Sequence, residues 1–286
     1  MPRSITRAAH AKVNLFLDVR SKRPDGYHEL ETLFERVGLS DRLTVEEKAG
    51  SALEFSCSST EAPGDASNLV VRAAELYRQR SGWTQGIRIA LEKAIPAGAG
   101  LGGGSSNAAA TLLALQELSG SALPPNDLRE IARRLGADVP FFLADSPWAI
   151  GRGRGDEVAP LDLPAKLWHL LVTPDFPIPT KAVYGGHRLT PQRPDVTLLL
   201  RALDGNEIRR VRDFLFNALE PTVEALYPAI RGVKAALREA GAVSPCVSGS
   251  GSSVFSLCDS RAEGERLAQM LKRAQPDWRV WVVCTA

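Results

Sequence analysis

One stretch of this chain carries residue types suited to holding an anion. AIPAGAGLGGGSSNAAA, residues 94–110, has glycine or alanine at eleven of its seventeen positions. Glycine loses more backbone entropy on folding than any other residue, so such a run needs a reason: positive φ angles, or a backbone that must approach something closely. A strand-like segment, GIRIALEKAIP (86–96), precedes it, and a helix-like segment, SSNAAATLLALQEL (105–118), follows. Free N–H groups at a helix start point outward and the helix dipole adds positive charge there, which suits phosphate. Glycines let the backbone wrap an anion without Cβ clashes. The serine hydroxyls can serve phosphate oxygens or a magnesium ion. The competing reading is a hinge, or close packing of helix on sheet. The length of the run, with ordered flanks, favours phosphate.

Two common phosphate binders fit poorly. No Gly-Lys-Ser or Gly-Lys-Thr occurs, which excludes a Walker-type loop. Gly98, Gly100 and Gly103 satisfy the GxGxxG spacing of dinucleotide folds, but those folds need a second strand after the helix, ending in an acidic residue ~20 positions on. Here a second helical pattern, PNDLREIARRLG (125–136), comes next.

The elements that must position this loop show a mixed pattern. AKVNLFLDV (11–19) alternates as a strand, with Ala11, Val13, Leu15, Leu17 and Val19 on one face and Lys12, Asn14, Phe16 and Asp18 on the other. RPDGYHE (23–29) carries turn chemistry, and strands are expected at 30–37, 42–48 and 53–58. Residues 67–82 read as a helix with a Ser or Asn cap and a terminal glycine. ADVPFFL opens a short element. Residues 151–165 are rich in Gly and Pro, and a domain boundary is placed near 155–165, giving domains 1–160 and 161–286. The second half alternates strands (KLWHLLVTP, SSVFSLC, WRVWVVC) with helices at 221–240 and 260–274. Long strands mixed with helices indicate α+β rather than a repeated βαβ rhythm.

Composition bounds the function. The 286 residues hold 44% apolar side chains, with 35 basic against 33 acidic groups. That balance speaks against a nucleic-acid binder, which shows a clustered basic excess. Cys57, Cys246, Cys258 and Cys284 lie far apart without a CxxC pair, so neither zinc nor a disulfide framework is expected and a reducing cytosol fits. The N-terminus lacks a signal-peptide pattern, and no apolar run reaches the ~20 residues that span a bilayer. A cytoplasmic protein without membrane contact is expected.

IPAGAGLGGGSSNAAA resembles the ATP-binding signature of the GHMP small-molecule kinases. The resemblance extends through AKVNLFLDVRSKRPDGYHELETLF (11–34), NLVVRAAELY (68–77), LGADVPFFL (135–143), IPTKAVY (178–184) and SGSGSSVFSL (248–257), in the family's order. It implies an N-terminal domain of ribosomal-protein-S5-domain-2-like fold, a ferredoxin-like C-terminal domain, and an active site in the cleft between them.

Residue by residue, the resemblance places Pro96, Ala97, Gly98, Ala99, Gly100, Leu101, Gly102, Gly103, Gly104, Ser105 and Ser106 around the triphosphate of ATP. It puts Asn68 and Lys93 near the nucleotide's base. Asp138 would accept the proton of the substrate hydroxyl, and Lys12, beside Asn14, would hold that hydroxyl or the transferred phosphate. By its residue type alone, Asp138 reads as a helix N-cap and Lys12 as a solvated edge charge. Tyr27 and His28 match recognition of a cytosine, which implies a cytidine-diphosphate-linked alcohol as substrate. Tyr184 would supply a second ring, with Thr180 beside it. A turn followed by packing residues is the plainer account of Tyr27 and His28. ATP and Mg²⁺ are the implied cofactors. The magnesium ligands stay open, because an extra glycine makes the alignment of Ser105 and Ser106 ambiguous. Other kinases of the family, acting on mevalonate, homoserine or a sugar, are the alternative, and PDGYHEL argues against them. A monomer or weak homodimer is expected.

Overall fold

The computed structural model describes residues 3–120, 123–189 and 194–286. The chain opens with two long strands, β1 (Ser4–Lys22) and β2 (His28–Lys48), joined by a turn in which Gly26 takes φ +86°. β3 (Leu53–Cys57), α1 (Leu69–Ser81) and β4 (Gly86–Glu92) follow, then α2 (Gly103–Ser119), α3 (Pro125–Leu135) and α4 (Val139–Phe142). β5 (Trp148–Gly153), β6 (Glu157–Leu161), β7 (Trp168–Thr173), α5 (Thr180–Gly186), α6 (Val196–Asp204), α7 (Ile208–Asp213) and β8 (Phe216–Asn217) come next. The chain ends with α8 (Glu220–Leu226), α9 (Ala229–Ala240), β9 (Cys246–Val247), β10 (Val254–Cys258), α10 (Arg261–Ala274) and β11 (Arg279–Cys284).

These elements gather into two compact units. The first comprises the described residues of Met1–Ala11, Leu39–Ala97 and Gly102–Asp145; the second, those of Lys12–Gly38, Gly98–Leu101 and Ser146–Ala286. In the first unit β3 runs parallel to β4, from Leu53 opposite Ile87 to Cys57 opposite Leu91. β4 is antiparallel to the C-terminal half of β2, from Arg42 opposite Glu92 to Lys48 opposite Gly86. Leu43, Val45, Ile87, Ile89 and Leu91 are buried there, as are Val70, Ala74 and Tyr77 of α1. Helix α2 is buried over most of its circumference, from Ala108 to Leu112 and at Ala114, Leu115 and Leu118, with Glu117 on its exposed side.

In the second unit β11, β7, β10 and β9 form an antiparallel sheet in that order. Leu170, Val172 and Val254 of this sheet share a core with Ile230, Val233 and Leu237 of α9 and with Leu267 and Leu271 of α10. The N-terminal half of β2 pairs with β5, which pairs with β6. β8 lies parallel to β1, with Phe16 opposite Phe216 and Leu17 opposite Asn217.

Two sequence expectations are corrected, and the structure adds a hairpin. The separate strands at 30–37 and 42–48 are one strand, β2, whose residues Leu30–Glu35 pair with β5 and Arg42–Lys48 with β4. The Gly- and Pro-rich stretch contains the β5–β6 hairpin; Gly151 sits in it because a Cβ there would meet Phe34 Cε2 at 2.6 Å. The helix expected over 221–240 is two helices, α8 and α9. Pro228 lacks an amide hydrogen and disfavours helical torsions in Tyr227, which lies at φ −131°, ψ 74°.

Candidate active site

The glycine run adopts a repeating local geometry. Gly98, Gly100 and Gly102 take φ of +65°, +77° and +69°, whereas Ala99 and Leu101 between them do not enter the positive-φ region. Alternation of left- and right-handed residues turns successive N–H groups inward and makes an anion-binding concavity. Every second position therefore demands glycine, and the intervening ones do not.

Three consecutive carbonyls of this turn are tied back within the second unit. Ala99 O accepts from Ser253 N at 3.1 Å, Gly100 O from Ser248 Oγ at 3.1 Å, and Leu101 O from Lys12 N at 2.9 Å. With its acceptors occupied, the turn offers donors. Gly102 then serves as the N-terminal residue of α2 with no side-chain cap, so the helix's first N–H groups have no side-chain partner from that position. Uncapped donors at the positive end of a helix dipole are what phosphate oxygens need.

In the first unit, Ser105 and Ser106 lie in the first turn of α2. A Cβ on Gly136 would come within 3.7 Å of Ser105 Oγ, so the segment that leads to Asp138 passes beside that hydroxyl. Asp138 stands just ahead of α4, yet its side chain makes no capping hydrogen bond. The capping account of this aspartate is thereby removed. Lys93 Nζ donates to Asp41 Oδ2 at 2.5 Å and to Asn107 Oδ1 at 3.2 Å. Asn68 caps α1, accepting from Val70 N at 2.9 Å and donating to Pro63 O at 2.6 Å.

In the second unit, Lys12 is 4% exposed and is no solvated edge charge. Its Nζ donates to Asn14 Oδ1 at 2.6 Å, Asn14 Nδ2 to Thr32 Oγ1 at 2.7 Å, and Thr32 Oγ1 to Phe16 O at 2.7 Å. The relay fixes the ammonium in a buried setting, 5.8 Å from the Phe34 ring centroid. The second glycine run closes over the same residues. Gly249, at φ +57°, packs tightly against them: a Cβ would stand 3.2 Å from Asn14 Oδ1 and 3.4 Å from Lys12 Nζ.

Comparison with known proteins shows the family and the fold. The family model for the GHMP kinase N-terminal domain matches residues 68–146, and that for the C-terminal domain matches 199–277. A 4-diphosphocytidyl-2-C-methyl-D-erythritol kinase of Pelotomaculum thermopropionicum is 40% identical over 94% of this chain and 94% of its own. The chain belongs to the GHMP kinase family. A second relative with the same name, from Prosthecochloris aestuarii, is also 40% identical over 94% of each chain. A crystal structure of 4-(cytidine 5'-diphospho)-2C-methyl-D-erythritol kinase matches with TM-score 0.84 and 41% identity, covering 99% of this chain and 100% of that one. A homoserine kinase of Cytophaga hutchinsonii, 23% identical with TM-score 0.78 over 99% of this chain and 94% of its own, shares the fold. This GHMP kinase is thus an ATP-dependent enzyme of two-domain α+β architecture.

The residues expected to read a cytosine also gather in the second unit of this GHMP kinase. The His28 ring lies 5.5 Å from that of Tyr184, tilted by 33°, and 6.5 Å from that of His187, edge-on. Burial, reinforced by the charge of Lys22, holds the His28 imidazole below its ordinary value. Burial, then the neighbouring His28, lowers His187 too, against the opposing pull of Asp18. Tyr27 is 56% exposed, with the Arg154 guanidinium 4.9 Å from its ring centroid. Thr180 Oγ1 lies 2.9 Å from Ser250 Oγ, which joins α5, the helix of Tyr184, to the second glycine run.

Sequence reasoning missed several supporting residues. Thr32 orients Asn14 from β2. Asn217 donates to Val247 O at 2.8 Å and Gly249 O at 2.7 Å while accepting from Leu219 N at 2.9 Å, and so shapes the second glycine run. His187 completes the ring cluster. Thr32 lies within the 11–34 stretch but is not singled out there, and Asn217 and His187 lie outside every quoted motif. The one available signal is a polar residue inside an apolar segment, as at Asn217 in FLFNAL. Among the described residues no group of three or more His, Cys, Asp or Glu side chains gathers as a metal centre, and no helix is long and apolar enough to cross a membrane.

Proposed function

We propose that this GHMP kinase transfers the γ-phosphoryl group of ATP to the 2-hydroxyl of 4-diphosphocytidyl-2-C-methyl-D-erythritol, in the non-mevalonate route to isoprenoids. The observation that carries the kinase reading is the turn of alternating left-handed glycines that runs into the uncapped start of α2. The names of the relatives at 40% identity and the ring cluster of His28, Tyr184 and His187 support the substrate. On this reading residues 96–106 hold the triphosphate, and Asn68 and Lys93 stand near the base. Tyr27, His28, Thr180 and Tyr184 bind the cytidylyl end, and Asn14 helps to place the substrate.

Transfer of this kind is mostly positioning and charge stabilisation. Asp138 takes the proton of the attacking hydroxyl as the oxygen–phosphorus bond forms, and Lys12 stabilises the negative charge that grows in transfer. Mg²⁺ would be held mainly through the substrate's phosphates, with the hydroxyls of Ser105 and Ser106 the candidate protein ligands, and would supply charge neutralisation on the triphosphate. Residues 1–160 form the nucleotide-binding domain and 161–286 the C-terminal one; the two family matches fall on either side of that division. The enzyme works in the cytoplasm as a monomer or weak homodimer. An ADP-release assay offering the cytidylyl substrate, mevalonate, homoserine and galactose in parallel tests the reading. Turnover of the cytidylyl substrate alone is expected; preference for any of the others overturns it.

A further inference from the structure

The residue that organises the glycine run from within the first unit lies outside every motif. Asp41, on β2, has a fully buried side chain. Its Oδ1 accepts the backbone N–H groups of Ala94 at 2.7 Å and Ile95 at 2.8 Å, the last two residues before Pro96. Its Oδ2 accepts from Lys93 Nζ at 2.5 Å and from Asn107 Nδ2, in α2, at 2.8 Å. Asn107 also accepts from Lys93 at 3.2 Å through Oδ1. One carboxylate therefore grips the chain where the glycine run departs and where it returns. Gly103 packs against the same knot: a Cβ there would stand 2.9 Å from Ile95 Cγ2 and 3.2 Å from Lys93 Nζ.

We propose that Asp41 is a positioning residue for the nucleotide, fixing the spacing between the two ends of the glycine run and holding Lys93 in place, so that ATP affinity depends on it although it touches no reacting atom. The inference rests on reading residues 96–106 as the ATP loop. A loop whose ends are held apart at the correct distance before the ligand arrives loses less entropy on binding. The carboxylate suits the task because it is acceptor-only, with lone pairs for four donors at once. An amide at position 41 could still serve Ala94 and Ile95 through its oxygen, but would turn its N–H₂ toward Lys93 and Asn107. Donors would then face donors, and the buried ammonium would lose its counter-charge.

The test is a swap. Asp41→Asn is expected to weaken ADP binding and raise KM for ATP about tenfold, the cost of a buried donor left unsatisfied, while KM for the second substrate changes little. Asp41→Asn combined with Asn107→Asp puts the carboxylate on the other side of the same contact, still beside Lys93, and should recover most of the ADP affinity. Asn107→Ala, a milder change, should show a smaller loss of the same kind. Wild-type ADP affinity in folded Asp41→Asn overturns the proposal, as does an equal rise in both KM values. If Asp41→Asn does not fold, the swap decides: wild-type melting temperature with recovered ADP affinity is expected, and wild-type melting temperature with ADP binding still weak overturns the proposal that the shared carboxylate sets the loop. Gly103→Val, assayed alongside, separates the two levels. If it too binds ADP normally, the loop reading itself fails; if it alone loses ADP, only the role of Asp41 does.

Discussion

The hydroxyl of Ser248 donates to the carbonyl oxygen of Gly100 at 3.1 Å, across 148 residues of sequence, and thereby joins the two glycine runs. The approach is closer still in the backbone: a Cβ on Gly100 would stand 2.2 Å from Ser248 O and 3.0 Å from Gly251 O. Gly100 has φ +77°, so it answers both to its own torsion and to its neighbour.

Gly100→Ala should therefore be costly on two grounds. A left-handed alanine loses about 1–2 kcal/mol, and backbone carbonyls cannot rotate aside as a side chain can. Melting temperature should fall and KM for ATP should rise. Gly98→Ala, where a Cβ would meet Pro177 Cβ at 3.9 Å, is strained by torsion alone and should be milder. Thermal melts and ATP titrations of both variants check this; equal effects would show that the second run does not constrain the first.

Asp138→Asn should lower kcat ~10²–10⁴-fold, as loss of a positioned general base does, with little change in binding. Lys12→Ala should also lower kcat, and the double variant should fall short of the product of the two losses, because groups acting together are not additive. Steady-state kinetics on the three variants measure this. Near-normal turnover in Asp138→Asn would remove Asp138 from the chemistry.

Tyr184→Ala should raise KM for the cytidylyl substrate more than for ATP, by on the order of 1–3 kcal/mol if the ring stacks on the base. An equal rise for both substrates would place Tyr184 outside the cytosine site.

Acid should weaken this protein through its ring cluster. His28 and His187 both titrate below the ordinary imidazole value of 6.5 in the folded state, because burial disfavours their charged forms. The unfolded chain takes up those protons first. Stability is thus fully present above 6.5 and is lost as pH falls from there toward the lowered folded values. Melting temperatures recorded from alkaline to mildly acid pH should show this slope, and His187→Gln should flatten it. A slope unchanged in that variant would assign the acid sensitivity elsewhere.

The sequence by itself determined the family, the α+β class and the place of the phosphate loop. These are local properties: glycine at alternate positions, a helix pattern after it, and the period-two run of β1 are written in consecutive residues. It also placed Lys12 and Asn14 on one strand face, but alternation alone could not say that this face is buried as deeply as the apolar one. Tertiary structure decided that, since burial depends on what later segments place over the strand, here the second glycine run against Lys12 and Asn14. It likewise decided that Asp138 caps nothing and that Tyr184 meets His28. Tertiary structure alone brought Asp41 to Ala94, Ile95 and Asn107, and Asn217 to Val247 and Gly249. A hydrogen bond between residues this far apart depends on how the whole chain packs, and no local spacing records it.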